Sequence, residues 1–156
     1  MANRQTKPED IKLQNKTVFK SPVYRIPALF YDRNSETLLA FAEQRETADD
    51  ASTQNLVMRR GTLKDESPGA KTIEWSELKT VVEKAKLNNC RPMNPCPVFE
   101  KNTNTLFLFF ICVEDRVTEQ WQIKHCTNKA RLCYITSKDH GQTWSEQVTI
   151  TAAHGS

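Results

Sequence analysis

YRIPALFYDRNSETLLAFAEQRETADD, residues 24–50, holds two apolar runs of strand length, PALFY and TLLAFA, on either side of the turn-forming cluster Asp32-Arg33-Asn34-Ser35. Leu, Phe and Tyr dominate both runs, so the stretch reads as strand, tight turn, strand. The first strand opens just after Arg25 and the second closes just before Arg45, and in an antiparallel pair those ends are neighbours. The reading gathers two guanidiniums and the carboxylates Glu43, Asp49 and Asp50 at one rim of a sheet.

Working outward, the same pattern recurs. Asp32-Arg33-Asn34-Ser35-Glu36-Thr37-Leu38 aligns with Glu100-Lys101-Asn102-Thr103-Asn104-Thr105-Leu106 at an offset of 68 residues, and Pro27, Tyr31 and Phe41 fall on Pro95, Phe99 and Phe109. Further on, Trp75-Ser76-Glu77 matches Trp144-Ser145-Glu146 at an offset of 69. Each copy is a hairpin, a loop and two more strands, the last opening with Trp-Ser-Glu. Tandem four-stranded antiparallel units are the pattern of β-propeller blades, each burying a face on its neighbour. The sequence therefore predicts an all-β chain of about two such blades, over residues 20–84 and 85–156. A polar N-terminal arm over residues 1–19 precedes them, with a short strand at residues 17–19. In the second copy Ser137-Lys138-Asp139-His140-Gly141-Gln142-Thr143-Trp144 reads as a tight turn. Asp139 binds nearby N–H groups, Gly141 supplies a positive φ, Thr143 opens the outer strand and Trp144 offers a large apolar face. In the first copy, residues 59–69 read as a longer loop by composition.

The chain has 156 residues, enough for one domain with its own core, and Lys+Arg 22 against Asp+Glu 19 leaves a net charge of +3. The basic residues are scattered, which argues against a nucleic-acid partner. The N-terminus MANRQTKPEDIKLQ has no apolar core of the kind a secretory signal needs. The longest apolar run, residues 106–113, falls far short of the roughly 20 residues of a membrane-spanning helix. Cys90, Cys96, Cys112, Cys126 and Cys133 form no C-x-x-C pair, which fits reduced thiols and argues against both a disulfide framework and a zinc site.

Tyr24-Arg25-Ile26-Pro27 and Ser137-x-Asp139-x-Gly141-x-Thr143-Trp144 resemble the two hallmarks of the exo-α-sialidases, the F/Y-R-I-P motif and the Asp box. The resemblance extends through AFAEQR (residues 40–45), LVMRRG (56–61), MNPCP (93–97), VTEQ (117–120) and ARLC (130–133). It is similar in these stretches to the animal cytosolic and plasma-membrane branch, and in FFICV and ARLC to the membrane-associated ganglioside sialidase.

The resemblance implies a six-bladed propeller in the complete family member, of which this chain looks like an N-terminal portion. It also implies retaining release of sialic acid from glycolipids or glycoproteins without metal or cofactor, in the cytoplasm or at the plasma membrane as a peripheral protein. Position by position, Arg25 binds the sialic acid carboxylate, Arg45 and Glu43 belong to the substrate pocket, and Asp50 is the acid/base. Met93, Asn94 and Pro97 match the glycerol and N-acyl side of the pocket, and Glu119 another pocket residue. The chemistry fits: a planar guanidinium gives a carboxylate paired charge-assisted bonds, each worth roughly 1.5–3 kcal/mol. A general acid must keep its proton near neutral pH, which the like charge of Asp49 beside it favours, although positions 48 and 49 are usually basic in this branch. Sialidases use a tyrosine nucleophile, and Tyr24, Tyr31 and Tyr134 do not match it. Two other readings stay open: a sialoside-binding module without turnover, and a structural Asp-box scaffold.

Overall fold

The computed structural model describes residues 16–20, 23–68, 70–83 and 89–150. It consists of two antiparallel sheets, each laid down in the order of the chain. In the first, β1 (Val23–Asp32) turns back into β2 (Thr37–Arg45), which pairs with the long β3 (Thr53–Ser67). The free edge of β3 is shared by two strands: β4 (Ala70–Trp75) covers its far end, and β5 (Lys79–Glu83) covers residues 55–58. The second sheet runs β6 (Cys90–Glu100), β7 (Thr105–Glu114), β8 (Ala130–Ser137) and β9 (Val148–Ile150), with helix α1 (Glu119–His125) between β7 and β8.

Two sequence expectations need correction. Residues 59–67 are strand and no loop: β3 continues to Ser67 and the chain returns as β4, residue 69 lying outside the described residues. Gly61 permits this return, because a Cβ there would stand 2.7 Å from Ile73 Cγ2 and 3.0 Å from the Trp75 ring. Nor is there a strand at residues 17–19, where the backbone is irregular and bends at Val18 and Phe19. This arm is held instead by the Val18 carbonyl, which accepts from Arg59 Nη1 at 2.9 Å, and by Phe19 against Tyr24 at 5.2 Å between ring centroids.

The repeat is physical, down to individual hydrogen bonds. In the first hairpin turn Asp32 accepts from the Asn34 N–H (3.0 Å), and in the second Glu100 accepts from the Asn102 N–H (2.8 Å). Glu36 and Asn104, one repeat apart, both take positive φ, 49° and 52°. The Trp-Ser-Glu signals form matching latches. Ser76 N–H donates to the Arg60 carbonyl while its hydroxyl accepts the Arg60 N–H, and Ser145 makes the same exchange with Thr136.

Period-two alternation sends one face of each strand into the space between the sheets. Leu39 and Phe41 of β2, Leu56 and Met58 of β3, and Leu108 and Phe110 of β7 meet there, none more than 3% exposed. The Asp-box turn closes one end of this junction. Ser137 Oγ accepts the Gly141 N–H at 2.8 Å, and Asp139 Oδ1 accepts the Gln142 and Thr143 N–H groups at 3.0 and 2.9 Å. Gly141 has φ 78°, and a Cβ there would meet Leu39 Cδ1 of the other sheet at 2.9 Å. Trp144 meets Phe41 edge-on at 6.1 Å, Arg60 Nη1 donates to the His140 carbonyl at 2.5 Å, and Lys79 donates to the Gln142 carbonyl. Ser137, Asp139 and Thr143 thus hold the turn together, and Gly141 and Trp144 meet the first sheet; Thr143 does not open the outer strand, which begins at Val148. One repeat on from Leu39, Phe41 and their β3 neighbour Met58 stand Phe107, Phe109 and Tyr134, a half-exposed aromatic face with ring separations of 5.5–5.8 Å.

The Thr143 hydroxyl and N–H, followed by Ser137 and Gln142, hold the Asp139 carboxyl well below its ordinary 3.8 against the opposing effect of burial. A carboxyl depressed by folding stabilises the fold fully above its ordinary value and loses that contribution as pH falls through the folded value. Asp139→Asn should therefore cost about 1–2 kcal/mol at pH 7, from weakened bonds to its donors. It should also flatten the fall in stability between pH 4 and pH 2. Urea midpoints of both proteins across that range check the expectation.

Candidate functional site

Opposite the Asp box, the start of β1, the end of β2, the start of β3 and the start of β6 come to one rim. Each inner strand carries a bulge at the same place in the repeat. In β1 the register jumps from Arg25↔Glu43 to Ala28↔Phe41, and in β6 from Met93↔Ile111 to Cys96↔Phe109. The bulge residues Ile26 and Asn94 lie in the left-handed region, with φ 49° and 56°. Asparagine tolerates that conformation, but a β-branched residue there is strained by roughly 1–3 kcal/mol, a strain found mostly where a bulge re-aims a functional neighbour. That neighbour is Arg25. It is exposed, and its guanidinium has no hydrogen-bond or ion-pair partner among the described residues.

Glu43, opposite Arg25 in the register, is fully buried. Its Oε2 accepts from Arg45 Nε (2.8 Å), Arg45 Nη2 (2.5 Å) and Thr53 Oγ1 (3.4 Å). Its Oε1 accepts the backbone N–H of Asn94 at 2.7 Å, a bond that crosses from the first sheet to the second. The expectation that Glu43 contacts a ligand is therefore corrected. With no exposed surface and both oxygens engaged, it braces the rim and sets the positions of Arg45 and Asn94. Arg45 is 6% exposed, and Nη1 also donates to the Ala48 carbonyl at 3.1 Å, so this guanidinium is oriented in advance.

The loop from β2 to β3 ends in a 3-10 turn at Asp50–Ser52. Asp49 caps it, and Asp50 begins it half-exposed. The Asp49 carboxyl is held below its usual range first by the Ala51 N–H, 3.0 Å away. The charges of Arg45 and Arg91 add to this.

Of the other candidates, Asn94 is exposed at the bulge, Met93 is buried beneath it at 6% exposure, and Pro97 is half-buried farther along β6. Glu119 stands exposed in the first turn of α1 and makes no hydrogen bond to Arg25, Arg45 or Asp50 among the described residues. Sequence reading missed Arg91 and Thr53. Arg91, 2% exposed, donates to the Glu114 and Val117 carbonyls at 3.2 and 2.9 Å, tying down the loop that carries α1. No hydrophobic period marks either residue, since each is fixed by backbone groups or carboxylates distant in sequence. Among the described residues no group of three or more His, Cys, Asp or Glu could hold a metal ion.

A comparison with known families matches residues 36–155 to the BNR repeat-like domain. Sialidase-2 of Mus musculus is 43% identical over 149 residues, covering 91% of this chain and 38% of that protein. Sialidase-3 of Homo sapiens is 47% identical over 128 residues, covering 82% of this chain and 28% of that protein. The chain thus spans less than two fifths of these relatives. Among solved structures, Hadza microbial sialidase Hz136 superimposes with a TM-score of 0.60 at 17% identity, over 81% of this chain and 25% of that one. That likeness establishes the fold, in which the two sheets are blades of a β-propeller.

Proposed function

The chain belongs to the BNR repeat-like family, and we infer that within it the chain stands with the animal sialidases. From that premise we propose that it supplies carboxylate recognition and acid/base chemistry to an exo-α-sialidase acting on gangliosides and other sialoglycoconjugates. The observation that carries the proposal is Glu43. Buried between the sheets, it holds Arg45 and the Asn94 bulge in fixed relation, beside an Arg25 that precedes the strained Ile26 and whose guanidinium has no partner among the described residues.

Arg25 takes the sialic acid carboxylate through paired N–H donors, beside an Arg45 that Glu43 holds in one orientation. Asp50 protonates the departing glycosidic oxygen while a tyrosine nucleophile, a role that Tyr24, Tyr31 and Tyr134 do not match, bonds the anomeric carbon. Water, giving a proton to Asp50, then displaces that nucleophile, so the proton count closes over one turnover with retention. Cytoplasmic or peripheral plasma-membrane placement belongs to the same proposal. Among the described residues no helix is long and apolar enough to cross a membrane.

Calorimetric titration with N-acetylneuraminic acid tests the reading. Arg25→Ala should weaken binding at least about tenfold, the loss of one or two charge-assisted bonds. Equal affinity in the variant would refute the assignment.

A second reading, a sialoside binder without turnover, is favoured by where the tyrosines lie. Tyr24 packs on Phe19, Tyr134 joins the Phe107–Phe109 face, and Tyr31 lies at the opposite rim. Release of fluorophore from a 4-methylumbelliferyl sialoside, abolished by Asp50→Ala, would exclude it; binding without release would favour it.

A further inference from the structure

At the rim opposite Arg25, the turns of the two inner hairpins enclose a cleft of about 640 Å³ that the sialidase reading leaves unused. Its floor is the tilted pair Phe30 and Phe99, 5.7 Å between centroids, and Tyr31 stands beside it, 42% exposed. Arg33 enters from one turn and Lys101 from the other, at equivalent positions of the repeat. Among the described residues neither side chain has a hydrogen-bond or ion-pair partner. Asn34 and Asn104 line the same space.

Among the described residues the nearby carboxylates make no ion pair with these cations. Asp32, 3% exposed, accepts from the Asn34 N–H at 3.0 Å and the Ser35 hydroxyl at 2.6 Å, and also meets His140. Burial alone would raise its pKa, but those partners carry it below the ordinary range, so its charge is committed within the fold. Glu100 is likewise engaged by the N–H groups of Asn102 and Thr103 at 2.8 and 2.7 Å.

Two uncommitted cations, two carboxamides and exposed aromatic surface around one cleft form the set that recognises an acidic sugar. The aromatic surface takes the C–H face of the ring, the amides take hydroxyls, and the guanidinium and ammonium take the acid group. We propose that this cleft is a second binding site, for a pyranose carrying a carboxylate or a sulfate, and that it works independently of the Arg25 rim. Both turns are needed to form it, so the site exists only where the two blades meet.

The test is titration of the 15N-labelled chain with N-acetylneuraminic acid, N-acetylglucosamine 6-sulfate and neutral N-acetylglucosamine, repeated on Arg33→Ala/Lys101→Ala. Arg25→Ala serves as the background that silences the other rim. The backbone amides of Tyr31, Asn34 and Asn104 should shift saturably with one or both acids and not with the neutral sugar. The double variant should weaken binding at least about tenfold, as expected for the loss of two charged contacts. Both substitutions lie on exposed turns and leave the core untouched. Absent shifts with both acids, equal shifts with the neutral sugar, or unchanged binding by the double variant would overturn the proposal. Shifts that persist at these amides in Arg25→Ala separate this site from the proposed sialidase rim.

Discussion

Glu43→Ala should lower the free energy of unfolding by about 3–5 kcal/mol, because it strands the Arg45 guanidinium at 6% exposure without its counter-charge. The Asn94 N–H, which Glu43 accepts at 2.7 Å, loses its partner as well. Removing this side chain therefore loosens the rim and unties one blade from the other. Glu43→Gln keeps an oxygen acceptor but gives up the ion pair, so it should fall between alanine and wild type. Urea unfolding measures the stability loss, and hydrogen exchange at the Asn94 amide reports the bond between the blades. A loss below about 1 kcal/mol, with Asn94 protection unchanged, would show that the rim does not depend on Glu43.

Phe41→Ala should cost about as much, roughly 3–5 kcal/mol, by a different route. Phe41 is fully buried in β2 and receives the edge of Trp144 from the Asp-box turn at 6.1 Å. The cavity it leaves opens in the sheet junction itself, where no exposed segment can collapse to fill it. The two blades should then unfold at separate urea concentrations instead of together. A single transition with a loss under about 1 kcal/mol would mean that the Asp-box contacts of Arg60, Lys79 and Gly141 hold the blades together without the aromatic core.

The sequence exposed the repeat because the repeated features are local. A turn acid accepting from N–H groups two residues on, a bulge before a proline and a Trp-Ser latch each need a particular residue at a particular place, so each leaves a mark in the sequence. The same is true of the Asp box, where Ser137, Asp139 and Gly141 bond within a span of five residues. The hairpin arm of β3 and β4 left no such mark. Its solvent-exposed Lys64, Asp65, Glu66 and Ser67 have the composition of a loop, and its pairing becomes visible only through the close approach at Gly61.

Glu43 shows a second limit. Its place in the AFAEQR segment identified it as part of the site, but whether it faces ligand or protein depends on an N–H 51 residues away, at Asn94. Arg25 and Asp50 differ from it in being legible as types. A strained bulge lies beside one and a capped turn holds the other.

The most direct test of the account follows N-acetylneuraminic acid binding by amide chemical shifts across the whole chain, in wild type and in Arg25→Ala. Wild type should shift together at Arg25, in the turn at residues 49–52 and at Asn94, which Glu43 joins across the two blades. Arg25→Ala should abolish this set. A ligand that leaves these amides unmoved in wild type, or moves them equally in Arg25→Ala, would contradict the account.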